Sequence, residues 1–157
     1  MDVRKATAAD LDPVVAIAER SRRQYQKYQP TLWRKAADSA KTTRASFAGL
    51  VEDRQTYFLV ALEGAQLQGF LIARKVATPP VHAPGGDTWL IDDFAVLEPH
   101  HWLSTGEALL SHATALLHEH GAAQIVVACA DRDLAKAEML RRSDLTIAAN
   151  WWTKPLG

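Results

Sequence analysis

Between positions 89 and 129 the chain reads as a strand, a turn, an amphipathic helix and a second strand, and this order constrains the fold more than any other stretch. Trp89-Leu90-Ile91-Asp92-Asp93-Phe94-Ala95-Val96 is an apolar, β-rich run that contains two adjacent carboxylates. A Pro-containing turn follows, and Ser104-Thr105-Gly106-Glu107-Ala108-Leu109-Leu110 opens a helix expected over residues 105–120, with Gly121 as its stop. Residues 124–129 then read as a buried strand. Two strands joined through a helix pair in parallel with a right-handed crossover, so residues 89–129 predict a βαβ unit. A turn of small residues before a helix leaves backbone N–H groups at the positive end of the helix dipole, which suits a phosphate-bearing ligand.

The flanking sequence supplies the other layers. A short strand over residues 3–6 precedes Thr7-Ala8-Ala9-Asp10, which has capping-box spacing, while Asp12-Pro13 is a competing helix start. Leu11, Val14, Val15, Ile17 and Ala18 form an apolar stripe at helical spacing that continues toward Tyr25 and Tyr28. Gln29-Pro30-Thr31 breaks that helix, and Thr31 can cap a second one over residues 32–52. Residues 56–62 and 67–73 are β-rich and joined by Glu63-Gly64-Ala65-Gln66, which predicts a hairpin. The Pro/Gly-rich residues 78–87 read as a surface loop, residues 133–142 as a helix, and residues 147–153 as a final strand with Trp151 and Trp152 on opposite faces. The predicted order is β-α-α-β-β-β-α-β-α-β in one domain spanning residues 1–157: an α/β (mixed α+β) fold with a mixed sheet and helices on both faces.

Composition excludes several classes of function. Eighteen basic and eighteen acidic side chains cancel, so the electrostatic footprint of a nucleic-acid binder is missing. No apolar run approaches the roughly 20 residues that span a bilayer, and residues 1–7 lack the apolar core of a signal peptide, so no membrane association is expected. Cys129 is the only cysteine, which rules out an internal disulfide and fits a reducing, cytoplasmic setting. His118-Glu119-His120 puts its histidines on different helix faces, so no metal is expected.

At Asp92-Asp93-Phe94-Ala95-Val96, Glu98-Pro99 and Gly106-Glu107-Ala108-Leu109-Leu110 the sequence resembles the GNAT superfamily of acetyl-CoA-dependent N-acetyltransferases. The start Val3-Arg4-Lys5-Ala6-Thr7-Ala8-Ala9-Asp10-Leu11 is also similar to the family's first strand and helix start, and the element order matches over nearly the whole chain. The resemblance implies acetyl-CoA as co-substrate, with the pyrophosphate at His101, Trp102, Leu103, Ser104, Thr105, Gly106 and Glu107. It further implies that Phe94, Ala95 and Val96 splay from their parallel neighbour and pair with pantetheine. A homodimer is commonly implied as well. Ser104 stands where the family has its first glycine, and Leu140 stands where it often carries the Tyr that protonates the departing thiolate.

An ammonium must lose a proton before its nitrogen attacks a thioester, so a carboxylate near the acceptor has a defined use. In a regular strand Asp92 and Asp93 face opposite sides, Asp92 with Leu90 and Phe94. The resemblance puts an acidic residue at Asp92 in polyamine-type members, which makes Asp92 the candidate base and Asp93 a hydrogen-bonding partner with catalysis as its alternative. Tyr25, Tyr28 and Trp33 are candidate walls for an amine-bearing small molecule or peptide, through apolar and cation–π contact. Tyr25, Tyr28 and His101 are also candidate substitutes for the missing acid, and Cys129 reads as a core residue. The expected activity is N-acetyl transfer by direct attack. The alternatives are a non-catalytic acyl-CoA-binding or regulatory domain of the same fold, or an interaction protein using its aromatic N-terminal helices.

Overall fold

A computed structural model describes residues 1–157. Five strands form one sheet in chain order: β1 (Asp2–Lys5), β2 (Thr56–Glu63), β3 (Gln66–Val76), β4 (Asp87–Val96) and β5 (Ala122–Val127). The first four pair antiparallel, while β4 and β5 run parallel. The crossover between β4 and β5 is helix α3 (Glu107–Glu119), as the βαβ pattern requires.

Helices α1 (Leu11–Tyr28) and α2 (Ser39–Glu52) cover one face. Val14, Ile17, Phe47, Phe58, Phe70 and Ile72 form the core beneath them. Helices α3 and α4 (Leu134–Arg142) belong to the other face, where Trp89, Ile91, Phe94, Leu109, Leu117 and Met139 pack together. The α1 start is held by the predicted capping box: Asp10 accepts from the Thr7 N–H at 2.7 Å and binds Arg4 through both carboxylate oxygens. The Arg4 hydrogen bonds hold the Asp10 carboxyl below its ordinary value against the opposing effect of burial.

Three expectations are corrected. The second helix begins at Ser39, not at position 32, because Trp33 folds back onto Tyr25 with ring centroids 4.8 Å apart and holds the intervening residues in turns. Strand β5 is not buried; it is an edge strand with Gln124 and Val126 exposed. The final strand does not form: residues 145–157 have no regular structure, and Trp151 and Trp152 are 87% and 91% exposed instead of packing on two faces.

Candidate active site

Strand β4 changes character halfway along. From Thr88 to Ile91 it pairs with β3 on one side and with β5 on the other. The β5 pairing ends at Ile91 opposite Val127, with one further bond from the Ala128 N–H to the Ile91 carbonyl at 3.1 Å. Beyond that point residues 92–96 pair with β3 alone. A sheet that parts in this way leaves main-chain donors and acceptors along one side of a strand, and these need a partner when water is excluded.

The parting coincides with a bulge. Leu71 lies opposite Phe94 and Ala73 opposite Ile91, so Asp92 and Asp93 together face the single residue Ile72. The extra residue shifts the alternation. Phe94 packs in the same core as Trp89 and Ile91, which corrects the assignment of Phe94 to the side of Leu90 and Asp92. Ala95 lies in the core under α1 and α2.

The two carboxylates have different surroundings. The Asp92 side chain is exposed and makes no hydrogen bond or ion pair with the protein. Asp93 is half-buried, 3.3 Å from the Arg22 guanidinium of α1. Burial raises the Asp93 carboxyl above its ordinary value; Arg22 opposes this, and the neighbouring Asp92 adds to it. Arg22 also donates to Thr43 and lies 3.4 Å from Glu19, which binds Lys35 and Ser39 at 2.6 Å each. Asp93 therefore belongs to a charged network that joins α1, α2 and the bulge.

On the other side the open half of β4 meets Lys136, a residue that sequence reasoning did not single out. Its amine is fully enclosed, donates to the Phe94 carbonyl at 3.2 Å, and lies 5.2 Å from the ring centroids of both Phe94 and Trp102. No carboxylate pairs with it, and burial pushes the amine below its ordinary value. A signal was available: Lys136 lies one turn before Leu140 on the inward face of α4, where an unpaired cation is out of place.

The aromatic candidates divide. The Tyr25 hydroxyl donates to Asp133 at 3.0 Å and accepts from the Ala130 N–H at 3.4 Å, so it ties α1 to the loop after β5. Burial raises its pKa well above the ordinary phenol value. Tyr28 and Trp33 stay half-buried against Tyr25, at 5.7 and 4.8 Å between centroids. Cys129 donates weakly to the Ala130 and Asp133 carbonyls, and burial pushes its thiol up to about 11, a poor nucleophile at neutral pH.

The segment expected to be an anion-cradling turn is helical. A 3-10 turn over Pro99–His101 runs into a π-helical turn over Trp102–Gly106 and then into α3. The Glu107 N–H is engaged by the Trp102 and Ser104 carbonyls, and the Ser104 hydroxyl by the His101 carbonyl at 3.3 Å. Trp102, Thr105 and Gly106 are buried, whereas Leu103 and Ser104 are exposed. Gly106 has a packing reason: a Cβ there would stand 2.6 Å from the Trp102 ring. His101 Nδ1 is buried without a partner. Arg20 of α1 fixes the approach by binding both oxygens of Glu98 and the Leu97 carbonyl. Beside this segment a cleft of about 360 Å³ is lined by Glu107, Ser111, Thr114, Arg142 and Ser143 among others.

No cluster of three or more His, Cys, Asp or Glu side chains is arranged to hold a metal ion. No helix is long and apolar enough to cross a membrane.

The chain belongs to the acetyltransferase (GNAT) family, whose model matches residues 15–142. Solved structures share the fold at low identity. The BH1408 protein of Bacillus halodurans, crystallised as a mutant, superposes with a TM-score of 0.86 at 17% identity, covering 99% of each chain. A predicted acetyltransferase of Clostridium acetobutylicum, solved with acetyl-CoA, gives 0.73 at 15% identity over 98% of this chain and 95% of that one. An aminoglycoside antibiotic 6'-N-acetyltransferase of Acinetobacter haemolyticus gives 0.70 at 14% identity over 100% of both. A comparison with curated proteins returns no match.

Proposed function

We propose that this chain transfers an acetyl group from acetyl-CoA to a primary amine of a small molecule or peptide by direct attack. The observation that carries the proposal is the half of β4 that lacks a β5 partner, with the exposed Asp92 in its bulge and the enclosed Lys136 amine on its Phe94 carbonyl. Family membership and the acetyl-CoA in the Clostridium acetobutylicum relative support the choice of co-substrate. Acetyl-CoA supplies the acyl group already activated as a thioester.

The protein's own groups divide the remaining work. The main chain of Phe94, Ala95 and Val96 pairs with an extended pantetheine arm. His101, with its unpartnered Nδ1, and the exposed Leu103 and Ser104 face the pyrophosphate, and the cleft beside Glu107 and Arg142 takes the nucleotide. Asp92 accepts the proton of the acceptor ammonium, while Asp93, held by Arg22, keeps the bulge in place. Lys136 gives a proton to the departing sulfur, the role for which Leu140 offers no group. Tyr28 and Trp33 wall the acceptor side, whereas the Tyr25 hydroxyl is occupied by Asp133.

One observation favours a second reading. Leu140 supplies no proton donor where the family often carries a Tyr, which suits a domain that binds an acyl-CoA without turning it over. Saturating acetyl-CoA at 100 times its dissociation constant is expected to stabilise the fold by about 2.7 kcal/mol, read as a rise in Tm. Thiol release with a panel of amines then separates the two readings. Binding without release selects the non-catalytic domain, and no rise in Tm at saturation removes both.

A further inference from the structure

The two adjacent cations of β1 have different fates. Arg4 is held by both carboxylate oxygens of Asp10, whereas Lys5 makes no ion pair. Lys5 stands opposite Leu59 of β2, and directly opposed residues share a face, so its side chain lies on the α3 side of the sheet. There it lines a cavity of about 160 Å³ together with Arg54, Tyr57, Leu59 and Leu116 among others. Arg54 also makes no ion pair, and the neighbouring Asp53 is engaged by the Gln55 N–H at 3.0 Å and the Thr56 hydroxyl at 2.7 Å. No acidic side chain lines the cavity.

The remaining walls are largely apolar or aromatic. Tyr57 is half-buried, its hydroxyl is not engaged by the protein, and its ring packs edge-on against Trp89 at 5.1 Å between centroids. The Trp89 indole N–H behind it is buried without a partner. Leu116 belongs to the last turn of α3, about 14 Å along the helix from Glu107, so the cavity is separate from the segment assigned to the pyrophosphate. A cavity of about 150 Å³ accommodates one benzene ring. Two cations without a counter-ion supply charge-assisted donors for a carboxylate.

We propose that this cavity binds a small carboxylate whose apolar body is about one ring in size, at a site distinct from that of acetyl-CoA. The body rests on Tyr57, Leu59 and Leu116, and the carboxylate accepts from Lys5 and Arg54. An apolar pocket with a few convergent polar groups is the usual form of a small-ligand site. Such a ligand brings the counter-ion that the chain gives to Arg4 and withholds from Lys5 and Arg54.

The test is a titration of the isotope-labelled full chain with benzoate, read from backbone amide shifts. Saturable shifts are expected at residues 5, 54–59 and 116, with a dissociation constant of about 1 mM or tighter, and they persist when acetyl-CoA is present. Benzamide, the neutral isostere, is expected to bind at least about tenfold more weakly. Lys5→Gln and Arg54→Gln, both at exposed positions that leave the fold intact, are each expected to weaken benzoate by about the same factor. Lys41→Gln, at an exposed cation of α2 on the other face of the sheet, leaves the affinity unchanged. Inorganic phosphate, an anion without an apolar body, does not saturate. Shifts that never saturate, benzamide or phosphate binding as tightly as benzoate, an affinity indifferent to Lys5→Gln and Arg54→Gln, or an equal loss from Lys41→Gln would overturn the site. Shifts centred on residues 92–106 that acetyl-CoA abolishes would overturn it as well.

Discussion

The two halves of β4 differ in one respect from which the rest follows. Residues 88–91 are paired on both sides, and their inward side chains, Trp89 and Ile91, belong to the core beneath α3. Residues 92–96 are bonded on one side only; they carry the bulge, both carboxylates and the carbonyl that holds Lys136. Continuous pairing supplies stability and leaves no main-chain group free for a ligand. Interrupted pairing exposes such groups, and the fold answers with charge: Arg22 against Asp93 on one face, Lys136 against Phe94 on the other. The proposed acetyl transfer uses the half in which the sheet is left unpaired.

Substitutions in each half are expected to separate these roles. The largest effect belongs to Asp92→Asn, which loses the base and lowers kcat/KM by about 10²–10⁴, or about 2.7–5.5 kcal/mol, with an unchanged urea midpoint. Ile91→Ala, one residue away in the paired half, acts in the opposite sense. It costs about 2–5 kcal/mol in urea unfolding while the turnover of the remaining folded enzyme is kept. Equal loss of activity from both would erase the distinction between the halves.

Lys136→Met comes next. Removing an enclosed amine without a counter-ion is expected to stabilise the fold by on the order of 1 kcal/mol, net of the bond lost at the Phe94 carbonyl, while turnover falls. Burial holds this amine below its ordinary 10.5, so the folded chain binds the proton less tightly than the unfolded chain. Wild-type stability therefore rises as pH climbs from the lowered folded value toward 10.5, and Lys136→Met flattens that rise. The smallest effect is at Asp93. Its raised carboxyl binds a proton more tightly in the folded chain, so its contribution is fully present below 3.8 and is lost as pH rises through the folded value. Asp93→Asn is expected to gain stability relative to wild type between acid and neutral pH, measured by urea midpoints.

Much of this architecture was legible in the sequence, and the exceptions have physical causes. The capping box at Thr7 and Asp10, the hairpin around Gly64 and the crossover through α3 are local patterns, and each formed. The late start of α2 depends on Trp33 meeting Tyr25, a contact that periodicity cannot register. Residues 147–153 have the composition of a strand but no neighbour within the chain, and a strand exists only through its pairing. At the site, the two carboxylates were visible as a pair, yet their surroundings were set by a bulge that alternation does not foresee. Gly106 resembled a phosphate-turn glycine, and its packing reason is Trp102. Lys136 was overlooked because a lysine on a helix is usually solvated, and only the approach of β4 encloses it.

The most direct test is amide hydrogen exchange along β4, followed with and without acetyl-CoA. Residues 92–96 are expected to gain protection when the co-substrate is added, while the already paired residues 88–91 change little. Protection that leaves residues 92–96 unaltered at saturating acetyl-CoA would contradict the proposed pairing with pantetheine.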